Sequence, residues 1–187
     1  LDVFPERGGR CKFSGKQAIA DMGITTLERT IPSENFYAME LSFTPEKLDH
    51  AEYGFSIYGG RKGAARPGFH VGVDVLGKVR CASRITDSDM DRKGMEIGWN
   101  EVKMPLPDPK AVVLRVTRAE KNRMTVFNLW FFDASKGDWV LAQKEISAAG
   151  LTAGRDNWTI SIFGRAWKDK IYTFYVDDIR VYERTRK

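Results

Sequence analysis

The sequence predicts an all-β protein built as a two-sheet antiparallel sandwich. Three observations predict it. Apolar residues recur with a period of two, turn residues break the chain at short intervals, and helical signals are few. The 187 residues suit a single domain spanning 1-187, a size at which all-β sandwiches commonly form one unit. No internal repeat, low-complexity tract or linker divides the chain.

The clearest alternation is Gly68 to Leu76. Phe69, Val71, Val73 and Val75 are expected on the core side, with His70, Gly72 and Asp74 on the other. Gly77-Lys78 turns the chain, and Val79 to Arg84 returns as the second arm of a hairpin. Phe36 to Thr44 is apolar and stops at Pro45. Tyr53 to Tyr58 alternates and ends at Gly59-Gly60. Ala111 to Thr117 follows a Pro-rich stretch, Pro105 to Pro109. Met124 to Phe132 turns at Ala134 to Gly137 into Asp138 to Ala142. Asn157 to Phe163, Ile171 to Val176 and Ile179 to Tyr182 complete the set. Two short helical turns are expected. One starts at Thr44 as cap with Pro45 behind it, and the other lies at Ser147 to Gly150.

Composition excludes several classes. Hydrophobic residues are 42%, charged residues 29% and aromatics 12%, values of a folded, globular chain. No apolar run approaches the roughly 20 residues of a membrane-spanning helix. No segment reads as a signal peptide, and the abrupt opening at Leu1 suits a mature or trimmed form. The net charge of +5 and pI near 9.2 raise the prospect of an anionic partner. Lys and Arg are nevertheless scattered, and the dense tail Glu183 to Lys187 reads as a solvated terminus. Cys11 and Cys81 have neither metal-knuckle nor redox spacing. They fit either one long-loop disulfide or two buried free thiols. With His50 and His70 the only histidines, a histidine-rich metal site is excluded.

Three stretches resemble one superfamily: the hairpin Phe69 to Arg84, the paired strands Met124 to Phe132 and Asp138 to Ala142, and the ending Tyr175-Val176-Asp177-Asp178-Ile179-Arg180-Val181-Tyr182. They resemble the concanavalin A-like lectin/glucanase superfamily, including its laminin-G-like and carbohydrate-binding branches. The resemblance implies an antiparallel jelly-roll sandwich. It does not fix function, because this fold hosts lectins, hydrolases, lyases and adhesion modules. Asp177 and Asp178 read first as acceptors for loop backbone groups. The alternative is a structural calcium ion, for which they are weak candidate ligands. No other cofactor is expected.

Glycosidases of this resemblance carry Glu-x-Asp-x-x-Glu, since two acids must flank one glycosidic bond. Here Met95-Glu96-Ile97-Gly98-Trp99-Asn100-Glu101 is the nearest match. Gly98 replaces the middle acid, and Glu96 and Glu101 differ in strand parity. Lyases of acidic glycans need Tyr or His to take a proton and Arg to neutralise a carboxylate. Tyr58, His70 and Arg80 are the residues to carry this if the chain is an enzyme, with Arg84 on the same parity. The lyase branch's strand motifs, Arg-x-Glu-Leu-Arg and Gln-Ile-His, are not intact. Nucleophile-elbow and phosphate-loop motifs are missing.

Binding asks least of the residues. Sugar rings stack on aromatic side chains while their hydroxyls need polar partners. Phe127, Leu129 and Phe131 suit the core, leaving Val126, Asn128, Trp130 and Phe132 on the other face. Trp130 with Asn128 is the best pair, and Trp99, Trp139 and Trp167 are further aromatic candidates. Arg80, Arg84 and Arg115 share the non-core parity and would form a basic face if their strands were neighbours. The expected ligand residues are therefore His70, Arg80, Arg84, Trp99, Arg115, Asn128 and Trp130. The reading is a non-catalytic carbohydrate-binding module, for an acidic polysaccharide on the charge argument, extracellular or periplasmic and cut from a larger protein. The alternatives are a polysaccharide lyase or hydrolase with a divergent site, and a laminin-G-like protein-protein adhesion module. Nucleic acid is disfavoured because basic and aromatic residues are not interleaved.

Overall fold

Along Val112–Lys121 every second residue from Val112 to Val116 is buried, and the residues between them are partly exposed. That pattern is the local cause of the architecture: a strand of this kind has one apolar face, and two sheets hide such faces against each other. The computed structural model describes residues 11–16, 23–59, 66–86, 95–148, 150–155, 157–166 and 170–184; for 12–16, 23–27, 66, 83–86 and 95–100 it describes the backbone alone.

The described strands are β1 (Cys11–Lys16), β2 (Gly23–Pro32), β3 (Phe36–Leu48), β4 (Ala51–Tyr58), β5 (Arg66–Asp74) and β6 (Val79–Thr86), followed by β7 (Met95–Glu101), β8 (Val112–Lys121), β9 (Met124–Asp133), β10 (Asp138–Ser147), β11 (Asn157–Ala166) and β12 (Ile171–Glu183). They form two six-stranded antiparallel sheets. Sheet I has the order β1-β12-β3-β8-β9-β10, and sheet II has β2-β11-β4-β5-β6-β7. The fold is the jelly-roll sandwich expected from the sequence.

One core fills the space between the sheets. Phe69 of sheet II stacks on Phe127 of sheet I at 4.7 Å between ring centres. Tyr53 lies 5.3 Å from both Phe43 and Phe174 across the same gap. Trp158 is fully buried against Phe36 and Phe127. Such rings interlock two sheets because each buries a large area and favours edge or offset contacts.

Several local expectations need correction. The segment from Thr44 is no helical turn but the end of β3, where Thr44 pairs with Tyr175 and Pro45 with Phe174. Pairing with β12 overrides the capping signal there. Ser147 likewise closes β10, and the Leu151 amide donates to the Ala148 carbonyl in a turn. Val75 is exposed rather than in the core. Asp74 stops the strand before it, because its carboxylate accepts from the Leu76 and Lys78 amides at 2.8 and 2.9 Å. Gly77 completes that turn at a φ of 73°, which an L side chain adopts poorly. The last two predicted strands are one, β12, bent by a bulge between Asp177 and Arg180. Both cysteines are free: Cys81 is buried, while Cys11 is exposed. They belong to different sheets, β6 and β1, so neither the disulfide nor the pair of buried thiols describes them.

Candidate functional site

The face of sheet II turned away from the core carries an unusual set of residues. On β4, Tyr53, Phe55 and Ile57 point into the core, so parity puts Glu52, Gly54, Ser56 and Tyr58 on the outer face. Register aligns Ser56 with His70, Glu52 with Asp74 and Tyr58 with Gly68 on β5. On the other side, β11 aligns Ser161 with Ser56, Phe163 with Gly54 and Arg165 with Glu52. Seven outer-face side chains, Glu52, Ser56, Tyr58, His70, Ser161, Phe163 and Arg165, are only 1–6% exposed.

These polar groups are joined. Ser56 Oγ and His70 Nδ1 are 2.8 Å apart. His70 Nε2 stands 3.5 Å from Glu52 Oε1, a distance at which attraction is electrostatic more than a well-formed hydrogen bond. Arg165 donates from Nε to Glu52 Oε2 at 2.6 Å, and its Nη2 pairs with the same oxygen. Burial pushes the Glu52 carboxyl up, but its contact with His70 and the charge of Arg165 outweigh this and hold it below the usual carboxylate range. Phe163 stacks on the His70 ring at 4.6 Å between centres. The glycines flanking His70 make this possible: a Cβ at Gly72 would collide with the Glu52 carboxylate, and one at Gly68 would stand 2.6 Å from the Tyr58 ring.

Of the predicted site residues, Tyr58 and His70 thus share a face and are diagonal neighbours. Two arginines approach His70 on this face: Arg80, paired with Gly72, is its diagonal neighbour on β6, and Arg165 reaches Glu52 from β11. Arg80 is half-exposed, with Nη2 3.7 Å from Asp74 Oδ2. Arg84 pairs with Glu96 on β7, and Trp99 lies on β7 between the paired residues Ile97 and Asn100; the side chains of both lie outside the described residues, as does Trp167 entirely. A bulge between Cys81 and Ser83 shifts the β6–β7 pairing, so Glu96 faces Arg84 and Glu101 faces Arg80. The two glutamates therefore pair with positions of one parity, contrary to the expectation from counting alone.

Arg115, Asn128 and Trp130 fall on the opposite side of the molecule, on the outer face of sheet I. The basic face expected from Arg80, Arg84 and Arg115 is not formed, because β6 and β8 belong to different sheets. Arg115 is moreover neutralised: its Nε donates to Glu40 Oε1 at 2.7 Å, its Nη2 pairs at 2.5 Å, and Tyr182 Oη donates to Glu40 Oε2 at 2.9 Å. Trp130 Nε1 donates to Thr117 Oγ1 at 3.2 Å, and Asn128 Oδ1 accepts from the Glu145 amide at 2.8 Å.

Asp177 and Asp178 lie at the β12 bulge, where Asp178 has a φ of 47° and is 3.5 Å from Arg180. Among the described residues no group of three or more His, Cys, Asp or Glu side chains gathers as a cation site would need. No helix among them is long and apolar enough to cross a membrane.

No family model matches the sequence, and no curated protein matches it. Solved structures do match in shape. The laminarinase catalytic domain from Thermotoga maritima is 12% identical, with 98% of this chain and 81% of that chain covered and a TM-score of 0.54. An alginate lyase solved with an alginate tetrasaccharide is 10% identical, covering 97% and 84%, with a TM-score of 0.55. A legume lectin-like domain from Entamoeba histolytica is 9% identical, covering 98% and 87%, with a TM-score of 0.53. At these identities the likeness is one of fold, the concanavalin A-like jelly roll, which here spans a hydrolase, a lyase and a lectin-like domain.

Proposed function

We propose that the chain is a non-catalytic carbohydrate-binding module, extracellular or periplasmic, whose ligand lies over the outer face of sheet II. The observation that carries this is the buried chain Ser56–His70–Glu52–Arg165 on a sheet face that the core does not need. Desolvating a carboxylate and a guanidinium is expensive, and an ordinary outer face would leave such groups in water. Held in fixed positions beside Tyr58 and Phe163, which are themselves only 5% and 4% exposed, they give the face a mixture of polar groups and ring edges of the kind that sugars meet. The same mixture argues against the adhesion module, which calls for a flat apolar face.

The pairing pattern favours binding over turnover. Glycoside hydrolysis needs two carboxyl groups free to act on one bond. Glu52 is held by Arg165, and Asp74 caps a turn and faces Arg80. A lyase needs an Arg to take the substrate carboxylate, and Glu52 already occupies Arg165. The lyase is the second reading, favoured by Tyr58 and His70 on one face beside a guanidinium.

The test is a glycan array of neutral and acidic polysaccharides, with and without calcium. It is followed by assays for new reducing ends and for unsaturated uronate on every polysaccharide bound. Binding without product, weakened by His70→Ala, supports the module; weakening by Arg80→Ala on acidic glycans alone adds the acidic preference. Unsaturated product abolished by His70→Ala replaces it with the lyase. No binding to any glycan overturns both.

A further inference from the structure

The outer face of sheet I is an assembled aromatic and polar surface, separated from sheet II by the whole core. A connected row crosses five strands. Tyr182 on β12 holds Glu40 on β3, and Glu40 holds Arg115 on β8. The Arg115 guanidinium then reaches past β9 to lie 3.9 Å from the centre of the Trp139 ring on β10. On β9, Phe132 meets Trp139 edge-on at 5.4 Å, and Trp130 is fixed by its bond to Thr117. Trp130, Phe132 and Trp139 are each partly exposed, so the rings are both anchored and reachable. Rings fixed before binding lose little freedom when a ligand arrives.

From this arrangement we infer that the outer face of sheet I is a second carbohydrate-binding surface, and that it takes an uncharged glycan chain. Indole rings stack on the apolar faces of sugar rings, while the Asn128 amide, the Thr117 hydroxyl and the Glu40–Arg115 pair offer partners to hydroxyl groups. Charge selects the class. Arg115 is matched by Glu40, and on the same sheet Lys121, Lys136 and Arg180 lie 2.5, 2.8 and 3.5 Å from carboxylates. A polyanion finds no unmatched cation in the row, and the guanidinium repels a cationic partner. The strongly exposed large apolar residues of β9 and β10 are Leu141, beside Trp130, and Met124 at the far end of β9, with Asn128 between them, so polar groups interrupt the apolar surface. The inference stands on different residues from the sheet II reading and does not require it.

Native gel electrophoresis through laminarin, hydroxyethylcellulose or alginate tests the inference on the full chain. The wild type is expected to be retarded by at least one of the two uncharged polysaccharides. Trp130→Ala and Trp139→Ala are each expected to weaken that retardation about two- to tenfold. Hydroxyl-radical footprinting of the wild type, which needs no substitution, should show Trp130 and Trp139 protected by the same polysaccharide. Retardation by alginate alone, retardation by no gel, or unchanged footprints at both tryptophans overturns the inference. Loss of neutral binding in His70→Ala with both Trp variants unaffected also overturns it, while supporting the sheet II face.

Discussion

Arg115 and Trp139 stand on strands separated by a third, yet the guanidinium lies 3.9 Å from the indole centre. The same guanidinium is gripped from behind by Glu40. Its removal therefore costs two contacts at once. Arg115→Ala is expected to lower stability by about 1–2 kcal/mol, the sum of a partly exposed ion pair and a cation–π contact. Arg115→Lys should recover less than half of this, because an ammonium cannot bind Glu40 as a fork and stack on the ring together. Urea denaturation of the two variants beside wild type measures both values; equal stability of all three would remove the row's structural role.

Glu52 and Arg165 form a buried ion pair, with side-chain exposures of 6% and 7%. Taking away one partner leaves the other uncompensated, so Arg165→Met is expected to cost about 3–5 kcal/mol. The double substitution Glu52→Gln with Arg165→Met should be milder than the single change. A double-mutant cycle in urea separates these outcomes, and strict additivity would mean the pair is not coupled.

The same pair sets a pH dependence. The Glu52 carboxyl is held below its ordinary value of 4.5 in the folded protein. Its contribution is therefore fully present above that value and is lost as pH falls through the lower folded-state value. The urea midpoint of wild type should drop more steeply below pH 4.5 than that of Glu52→Gln, which has no proton to gain. Parallel curves for the two proteins would exclude Glu52 as a contributor.

How much of this could be read in the residues follows from what parity can and cannot say. Alternation on β5 and β9 located Phe69, Val71, Val73, Phe127, Leu129 and Phe131, and all are buried. It could not say which strands are neighbours, since that is decided by pairings such as β3 with β8, far apart in the chain. Arg80, Arg84 and Arg115 therefore looked like one face and are split between two sheets. Glu52 and Arg165 escaped notice for a smaller reason. The predicted segments began at Tyr53 and ended at Phe163, one residue too late and two too early, whereas pairing extends β4 to Ala51 and β11 to Ala166. A Glu and an Arg at the frayed ends of two apolar segments give no signal until register sets them side by side.

Gly72 offers a steric test of that arrangement. A methyl group there would collide with the Glu52 carboxylate, pushing it off Arg165 or bending β5. Gly72→Ala is expected to destabilise by about 1–3 kcal/mol, the usual penalty of overpacking. Adding Glu52→Ala should relieve part of the clash. If Gly72→Ala is as stable as wild type, the carboxylate does not lie over this glycine.

The two thiols differ enough to report on the sandwich chemically. Cys11 is exposed on β1, while burial in the core pushes the Cys81 thiol up to about 12. Thiolate is the reactive form, and both access and ionisation are denied to Cys81 in the folded state. Iodoacetamide at neutral pH should alkylate Cys11 readily and Cys81 only when the core opens. Peptide mass spectrometry across a urea series should then show Cys81 labelling rising with global unfolding. Early labelling of Cys81, well before the spectroscopic transition, would mean that β6 detaches from sheet II independently of the rest.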